Sequence, residues 1–344
     1  MLKPFKTAKI DFDIIREIGQ NGKNSTTHLI NDRQLNAQIV AKTVLKSSLT
    51  STKDFFAESQ ALYASAHPHV AQIHYACYDD DNVYIAMPYY SNGSLKERIT
   101  GKNITVRETL TLATQILSAL QNIHSKKLIH FDIKPDNILL SHRDEALLSD
   151  FGLAKHQNSY ATATPRQIYG RMFPPEALTG KKDFDITFDI YQFGLTLYRM
   201  CNGNDHFYSQ FNKYSSDIAL YQRDISNGKF PDRNSYHPHI PTTLRKVINK
   251  CLEVNPSERY KSATEIVNAI AGIDGKLLDW VLTTNSNCQT WTKLVNGVEY
   301  KLVVDATNNA TGTRTPHGGT SRKESALCGN NVSKKDIYSM LGDK

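Results

Sequence analysis

Two short stretches hold residues able to do chemistry together. The first runs His130-Phe131-Asp132-Ile133-Lys134-Pro135-Asp136-Asn137-Ile138-Leu139-Leu140. Asp132 can accept a proton from an attacking hydroxyl, and Lys134 can neutralise a phosphoryl group in flight. Asn137 can bind a divalent cation through its amide oxygen. Ile138 and Leu139 begin an apolar strand, so the core anchors the polar loop beside it. The second stretch is Asp150-Phe151-Gly152, whose carboxylate suits a Mg²⁺ bridging two phosphates. Phosphoryl transfer asks for charge neutralisation and in-line positioning more than for covalent help.

The elements that must position these residues follow from pattern. Residues 10–45 alternate apolar and polar side chains, with breaks at Gly19, Gly22 and Asn31-Asp32. That predicts antiparallel strands joined by tight turns. Residues 39–44 (IVAKTV) read as a buried strand with one cation, Lys42. Residues 52–66 place Phe55, Phe56, Leu62 and Tyr63 at helical spacing, and His67-Pro68 stops that helix. Two strands are expected near 70–76 and 83–87. Thr105 and Glu108 predict a capping box ahead of a long buried helix with Leu110, Ala113, Ile116, Leu117, Leu120 and Ile123 on one face. Further helical patterns fall near 186–201, 216–227, 242–252 and 262–271. Between them, 203–216 reads as a polar-aromatic insertion in loop form.

The composition shifts again near Gly272. Thr292–Val295 and Val298–Val303 flank Asn296-Gly297, a two-residue hairpin signal. Its face of Trp291, Tyr300 and Leu302 must be covered, by the preceding body or by a partner. Residues 305–331 are rich in Asn, Thr, Gly and Ser and read as a loop or disordered stretch. Ser333–Leu341 predicts a short helix with Ser333 and Asp336 at its start.

Composition bounds the rest. The 344 residues contain no apolar run of membrane-spanning length. The first residues lack the apolar core of a signal peptide. Five scattered cysteines without a CxxC pair argue against a disulfide framework or a structural zinc site and suit a reducing compartment. The net charge of +7 is spread along the chain, without a basic stripe interleaved with aromatics. Acidic partners or plain solubility fit it, and nucleic-acid binding is not expected. A soluble cytoplasmic protein with no membrane partner is expected, with delivery into another cell left open.

Taken in order and spacing, these residues resemble the eukaryotic-type (Hanks-type) protein kinases over residues 10–272. The resemblance implies an α+β bilobal fold with a small antiparallel β lobe plus one helix over about 10–90 and a helical lobe over about 91–272. Residues 273–344 form a C-terminal extension containing the β-hairpin, which matches no named family. The resemblance further implies that Asp132 and Lys134 are catalytic, and that Asn137 and Asp150 hold Mg²⁺ or Mn²⁺. ATP would lie against Gly19, Gly22, Val40, Lys42, Glu58, Met87, Pro88, Tyr89, Tyr90 and Leu139. In that scheme Lys42 meets the α- and β-phosphates and Glu58 is its ion-pair partner. Met87 is the gatekeeper, 88–90 the hinge, and Val40 and Leu139 sandwich the adenine. Phe173-Pro174-Pro175-Glu176 takes the place of the APE segment, with Glu176 paired to Arg259. Asp189 braces the catalytic loop, and His130 packs under Phe151 in a column with Leu62 and Ile73.

The departures from the family pattern set the alternatives. Gly19 and Gly22 are the glycines left in GQNGKNSTTHL, 19–29, where three are usual. Side chains there keep backbone N–H groups from phosphates, so a nucleotide-binding scaffold with little turnover is the competing reading, ahead of a small-molecule kinase. Phe131 stands where many of these kinases have the arginine that receives an activation-loop phosphate, which implies activity without that phosphate. Ser159, Tyr160, Thr162 and Thr164 remain open to autophosphorylation. Lys134 points to Ser/Thr substrates on proteins, while Tyr169 leaves dual specificity open. The Asn- and Lys-rich composition points to a bacterial or phage source.

Overall fold

The computed structural model describes residues 10–18, 25–48, 56–165 and 172–343. Gly19, Gly22, Phe55 and Tyr169 therefore lie outside the described residues. The front of the chain is a five-stranded antiparallel sheet of β1 (Phe12–Glu17), β2 (Ser25–Asp32), β3 (Ala37–Leu45), β4 (Tyr75–Tyr78) and β5 (Asn82–Pro88). The strand order is β1-β2-β3-β5-β4. Ile30, Ile39, Ala41 and Ala86 make a small core on one face. Asp32 ends β2 and is buried, its carboxylate accepting from the Leu35 amide at 2.8 Å and the Tyr75 hydroxyl at 2.6 Å. The turn accordingly falls at 33–36, just past the predicted break. One helix, α1 (Ala57–Ala64), joins β3 to β4 in the chain.

The helical body is built around one long helix. α2 (Leu95–Arg98) opens it with a full capping box between Ser94 and Glu97. α3 (Val106–Ser125) starts at Thr105, whose hydroxyl accepts from the Glu108 amide at 3.0 Å. The predicted capping box is only half formed, because the Glu108 carboxylate accepts from Arg98 at 2.8 Å instead. Ala113, Ile116, Leu117, Leu120 and Ile123 are fully buried. β6 (Leu128–Ile129), β7 (Ile138–Leu140), β8 (Ala146–Leu148) and β9 (Lys155–His156) make two ladders, β6 with β9 and β7 with β8. α4 (Thr187–Asn202) is buried along its whole length. It passes so close to the segment ending at Cys251 that a Cβ on Gly194 would lie 2.6 Å from the Cys251 Cβ. Around it stand α5 (Asn204–Phe211), α6 (Ile218–Ser226), α7 (Thr242–Cys251) and α8 (Ala263–Ala271).

The extension is a second five-stranded antiparallel sheet: β10 (Val281–Thr284), β11 (Cys288–Val295), β12 (Val298–Asp305), β13 (Ala310–Pro316) and β14 (Arg322–Lys323), closed by α9 (Lys334–Asp343). The predicted hairpin is present, with Asn296 at φ 50° and Gly297 at φ 76°, the left-handed pair that a two-residue turn requires. Trp280, Trp291, Leu302, Leu327 and Leu341 form a core of their own. The sheet also packs against the body. Asn103 Nδ2 donates to the Leu282 carbonyl at 3.0 Å, Arg107 pairs with Asp279 at 2.6 Å, and Trp291 Nε1 donates to His239 Nδ1 at 3.1 Å.

Several expectations are corrected. The strand near 70–76 lies at Tyr75–Tyr78, because Val70 instead makes a lone bridge to Leu148. Tyr63 is on the outer face of α1 and 76% exposed, so it belongs to no core stripe. The insertion at 203–216 is helical, since Phe207 and Phe211 bring their rings within 5.3 and 6.2 Å of Phe230 and anchor it. Residues 305–331 hold β13 and β14, whose backbone groups pair with β12 and with each other. No helix among the described residues is long and apolar enough to cross a membrane.

Candidate active site

Lys42 rises from the middle of β3, its neighbours Ala41 and Val40 buried. Its ammonium donates to Glu58 Oε1 at 2.7 Å and to Asp150 Oδ1 at 2.8 Å. Strand, helix α1 and the Asp150 loop are thereby tied through one cation. Burial acts to lower the Lys42 pKa, but the two carboxylates outweigh it and hold it above the ordinary lysine value. The Glu58 carboxyl is pushed up by burial more than Lys42 pulls it down. Asp150 is held down to about 2 by Lys42 against its own burial. The Asp150 side chain is nevertheless 43% exposed, against 14% for Lys42 and Glu58, so water screens part of its attraction.

The second group lies on the loop between β6 and β7. Lys134 Nζ donates to Asp132 Oδ2 at 2.7 Å, and Asn137 Nδ2 donates to the same oxygen at 2.8 Å. Ser149 joins the two halves, its amide and hydroxyl both donating to the Asn137 carbonyl at 2.9 and 3.0 Å. His130 is buried and packs edge-on to Phe151 with ring centres 4.8 Å apart. Burial lowers its pKa. Its contacts, Nε2 to the Ser149 carbonyl and Nδ1 from the Asp132 amide, fit a neutral ring holding the loop in shape.

The loop backbone is held from below by α4. Asp189 accepts from the amides of His130 and Phe131 at 2.9 and 2.8 Å, and it contacts His124 Nε2 at 2.8 Å. Phe131 and Asp150 sit at φ 68° and 58°, where a non-glycine residue is strained. Such strain persists only when the surroundings over-determine it. The Phe131 ring is buried with Phe184 and Phe188, at centroid distances of 6.4 and 5.1 Å. Glu176 and Arg259 form a buried bidentate pair at 2.7 and 2.6 Å, as the resemblance implied.

One positioning residue escaped the sequence reading. Gln192 Oε1 accepts from the Ile133 amide at 2.9 Å, and its Nε2 donates to the Phe131 carbonyl at 3.1 Å. It grips the backbone on both sides of Asp132. The signal available was its spacing, three residues after Asp189 and so on the same helix face.

The remaining predicted residues take these places. Val40 pairs across the ladder with Met87, and Pro88 with Ile39. Tyr89 and Tyr90 follow β5 half-buried, their hydroxyls accepting from Arg16 at 3.4 Å and from the Gln72 amide at 3.3 Å. Leu139 is half-buried in β7 and bridges to Ser94. For a metal, the Asn137 Nδ2 is engaged by Asp132, which leaves Oδ1, and Asp150 offers its carboxylate. Two hard oxygens suit Mg²⁺ or Mn²⁺. Gly152 keeps space beside them, since a Cβ there would lie 3.3 Å from Asp150 Oδ1 and 3.5 Å from Glu58 Oε2.

Fold and site together define a two-lobed scaffold in which a buried lysine–carboxylate pair is joined to a reactive loop. The protein kinase domain profile matches residues 12–269, and the chain belongs to the protein kinase family. Over 272 residues it is 30% identical to a probable serine/threonine-protein kinase of Clostridium acetobutylicum, covering 76% of this chain and 40% of the relative. It is 27% identical over 266 residues to the serine/threonine-protein kinase PrkC of Bacillus subtilis, covering 74% and 39%. An Aurora kinase of Patiria pectinifera is 28% identical over 272 residues, covering 77% and 63%. The matched span is thus about two fifths of the length of these bacterial relatives.

Proposed function

We propose that the chain transfers the γ-phosphoryl group of ATP to Ser or Thr of protein substrates, itself included, without needing a phosphate on its activation segment. The observation that carries this is the joined pair of contacts Glu58–Lys42–Asp150 and Lys134–Asp132–Asn137, linked through Ser149. In this reading Asp132 orients the hydroxyl and takes its proton, and Lys134 stabilises the moving charge. Lys42 meets the nucleotide phosphates, oriented by Glu58. Val40, Leu139 and Met87 lie against the adenine, and Pro88–Tyr90 offer backbone groups to its edge. Asn137 Oδ1 and Asp150 would hold Mg²⁺ or Mn²⁺, which when bound neutralises phosphate charge. Ser/Thr choice is supported by Lys134 and by the names of the relatives. Independence from a loop phosphate is supported by Phe131, which puts an aromatic ring in a buried cluster where a phosphate receptor would need a cation. Five unpaired cysteines suit action in a reducing cytoplasm.

The test is transfer of labelled phosphate from Mg-ATP to the intact chain and to a basic protein substrate, with phosphoamino-acid analysis. Label on Ser/Thr is expected, and Asp132→Ala should lower the rate roughly 100- to 10,000-fold. Phosphatase treatment beforehand should leave the rate intact. ATP bound by a folded chain with no label transferred would replace this reading with the nucleotide-binding scaffold. Label on Tyr would replace Ser/Thr by dual specificity.

A further inference from the structure

Three histidines of the helical body gather where the extension docks. His206 lies on α5, and His237 and His239 lie on the loop leading into α7. The His206 and His237 ring centres are 5.3 Å apart, and His237 stacks on His239 at 6.1 Å. His237 Nε2 donates to the Asn202 carbonyl at 3.1 Å. His206 Nε2 meets the Ser235 hydroxyl at 3.1 Å and the Tyr198 hydroxyl at 3.5 Å. His239 is 1% exposed, and its Nδ1 receives the Trp291 indole proton across the seam at 3.1 Å. An indole nitrogen can only donate, so that Nδ1 must carry no proton. An imidazolium is protonated on both nitrogens, and two donors would then face each other across the seam.

The charges acting on the cluster are mostly positive. Lys334, on α9 of the extension, acts on His206 and His237, and Arg245, on α7, acts on His239. Arg245 also faces the Tyr338 ring of α9 at 5.9 Å. Asp232 is the one carboxylate among the described residues that favours a charged ring, and it acts on His206 alone. Of the other acids close in sequence, Asp205 accepts from the Gly101 amide and Asp336 from Ser333 at the start of α9. On the α4 side, burial pushes the Tyr198 and Tyr236 phenols and the Cys201 thiol up, so they stay uncharged. Burial, and after it the neighbouring imidazole, holds His237 down to about 4 and His239 to about 3, and burial lowers His206 as well.

Independently of the kinase reading, we propose that these histidines form a proton-operated latch: neutral rings hold the extension on the helical body, and their protonation in mildly acidic solution releases it. Rings whose pKa is lowered when covered favour the covered state above the free value of about 6.5, and that support is lost as the pH falls toward the covered values. At about pH 5, His239 alone shifts the balance toward release roughly 30-fold. Repulsion between the charged cluster and Lys334 acts in the same direction.

Trp280 and Trp291 are the chain's two tryptophans, and both belong to the extension's core, so their emission reports on it. The intact chain is titrated from about pH 8 to about pH 4.5 while tryptophan emission, far-UV circular dichroism and the radius of gyration from small-angle scattering are followed. Red-shifted emission and a larger radius are expected with a midpoint between about pH 5 and 6, at unchanged circular dichroism. The double variant His237→Gln with His239→Gln supplies an uncharged donor and acceptor, and it should move the midpoint down by at least about one pH unit. Should that variant not fold, Lys334→Glu at an exposed position turns repulsion into attraction and should move the midpoint down by about half a unit. Emission and radius that do not change in the parent overturn the latch. So does circular dichroism lost at the same midpoint, which is unfolding of the whole chain. A midpoint that stays in place in the folded double variant, or in Lys334→Glu where that variant decides, overturns it too.

Discussion

Gln192 and Asp189 hold the loop around Asp132 through four backbone groups: the amides of His130, Phe131 and Ile133 and the Phe131 carbonyl. A backbone fixed at four points leaves Asp132 little freedom beyond its side-chain torsions, and those are limited by Lys134 and Asn137. Gln192→Met keeps the volume but strands the buried Ile133 amide, which costs about 1–3 kcal/mol. The expected result is a fall in kcat of about tenfold with ATP affinity within about twofold of the parent, because the variant loosens orientation and leaves the Lys42 group untouched. Steady-state rates alongside nucleotide titration check this. An unchanged kcat would show that Asp189 suffices. At this scale much was legible. The spacing of Asp132, Lys134, Asn137 and Asp150 placed them together because short loops on anchored strands bring near neighbours in sequence near in space.

At the scale of the element, the segment around Phe131 is fixed by packing of aromatic rings. Its ring joins Phe184 and Phe188, and Ala163 and Phe184 bridge in both directions at 2.8 and 3.0 Å. The catalytic loop, the start of α4 and the activation segment are thus joined by apolar contact. Phe131→Ala should cost about 3–5 kcal/mol of stability, read from denaturant unfolding of the full chain. A midpoint that does not move would mean the three elements are held by their backbone bonds alone. Helix α5 lies at the same scale and was read as loop. Its polar residues at 204–206 and 209–210 mask two anchors, Phe207 and Phe211, whose helical worth appears only once Phe230 and Tyr221 are brought beside them.

At the scale of the whole molecule, two cores meet across a seam. The extension's core includes Trp280 and Trp291, both fully buried, while Trp291 also reaches His239 of the helical body. Burial there lowers the His239 pKa to about 3, so its ring is neutral and its Nδ1 can accept the indole proton. Trp291→Ala would empty the second core and release the seam together. A loss of about 3–5 kcal/mol is expected in thermal or denaturant unfolding. Two separate transitions, with the first alone shifted, would show that the sheet unfolds independently of the body. Arg107–Asp279 contributes little by comparison, since its side chains are 54% and 36% exposed and water screens the pair.

Local chemistry and short-range pattern sufficed for the reactive loop, the long capped helix, the Asn296-Gly297 turn and the terminal helix, because each is decided by residues within one or two turns of chain. Other features depended on the tertiary structure. Strand β13 exists because β12 offers it a ladder, and β14 because β13 does, although their own residues are those of a loop. Gln192 and Arg199 look alike on α4 as polar residues in an apolar helix, and burial gives one a backbone to grip and the other the Asn204 amide and two aromatic rings to face. Burial of a polar group is a property of what packs around it, and that is set by residues 59 and more positions away: Phe131 and Ile133 for Gln192, and Lys96 with Asp136 near Arg199.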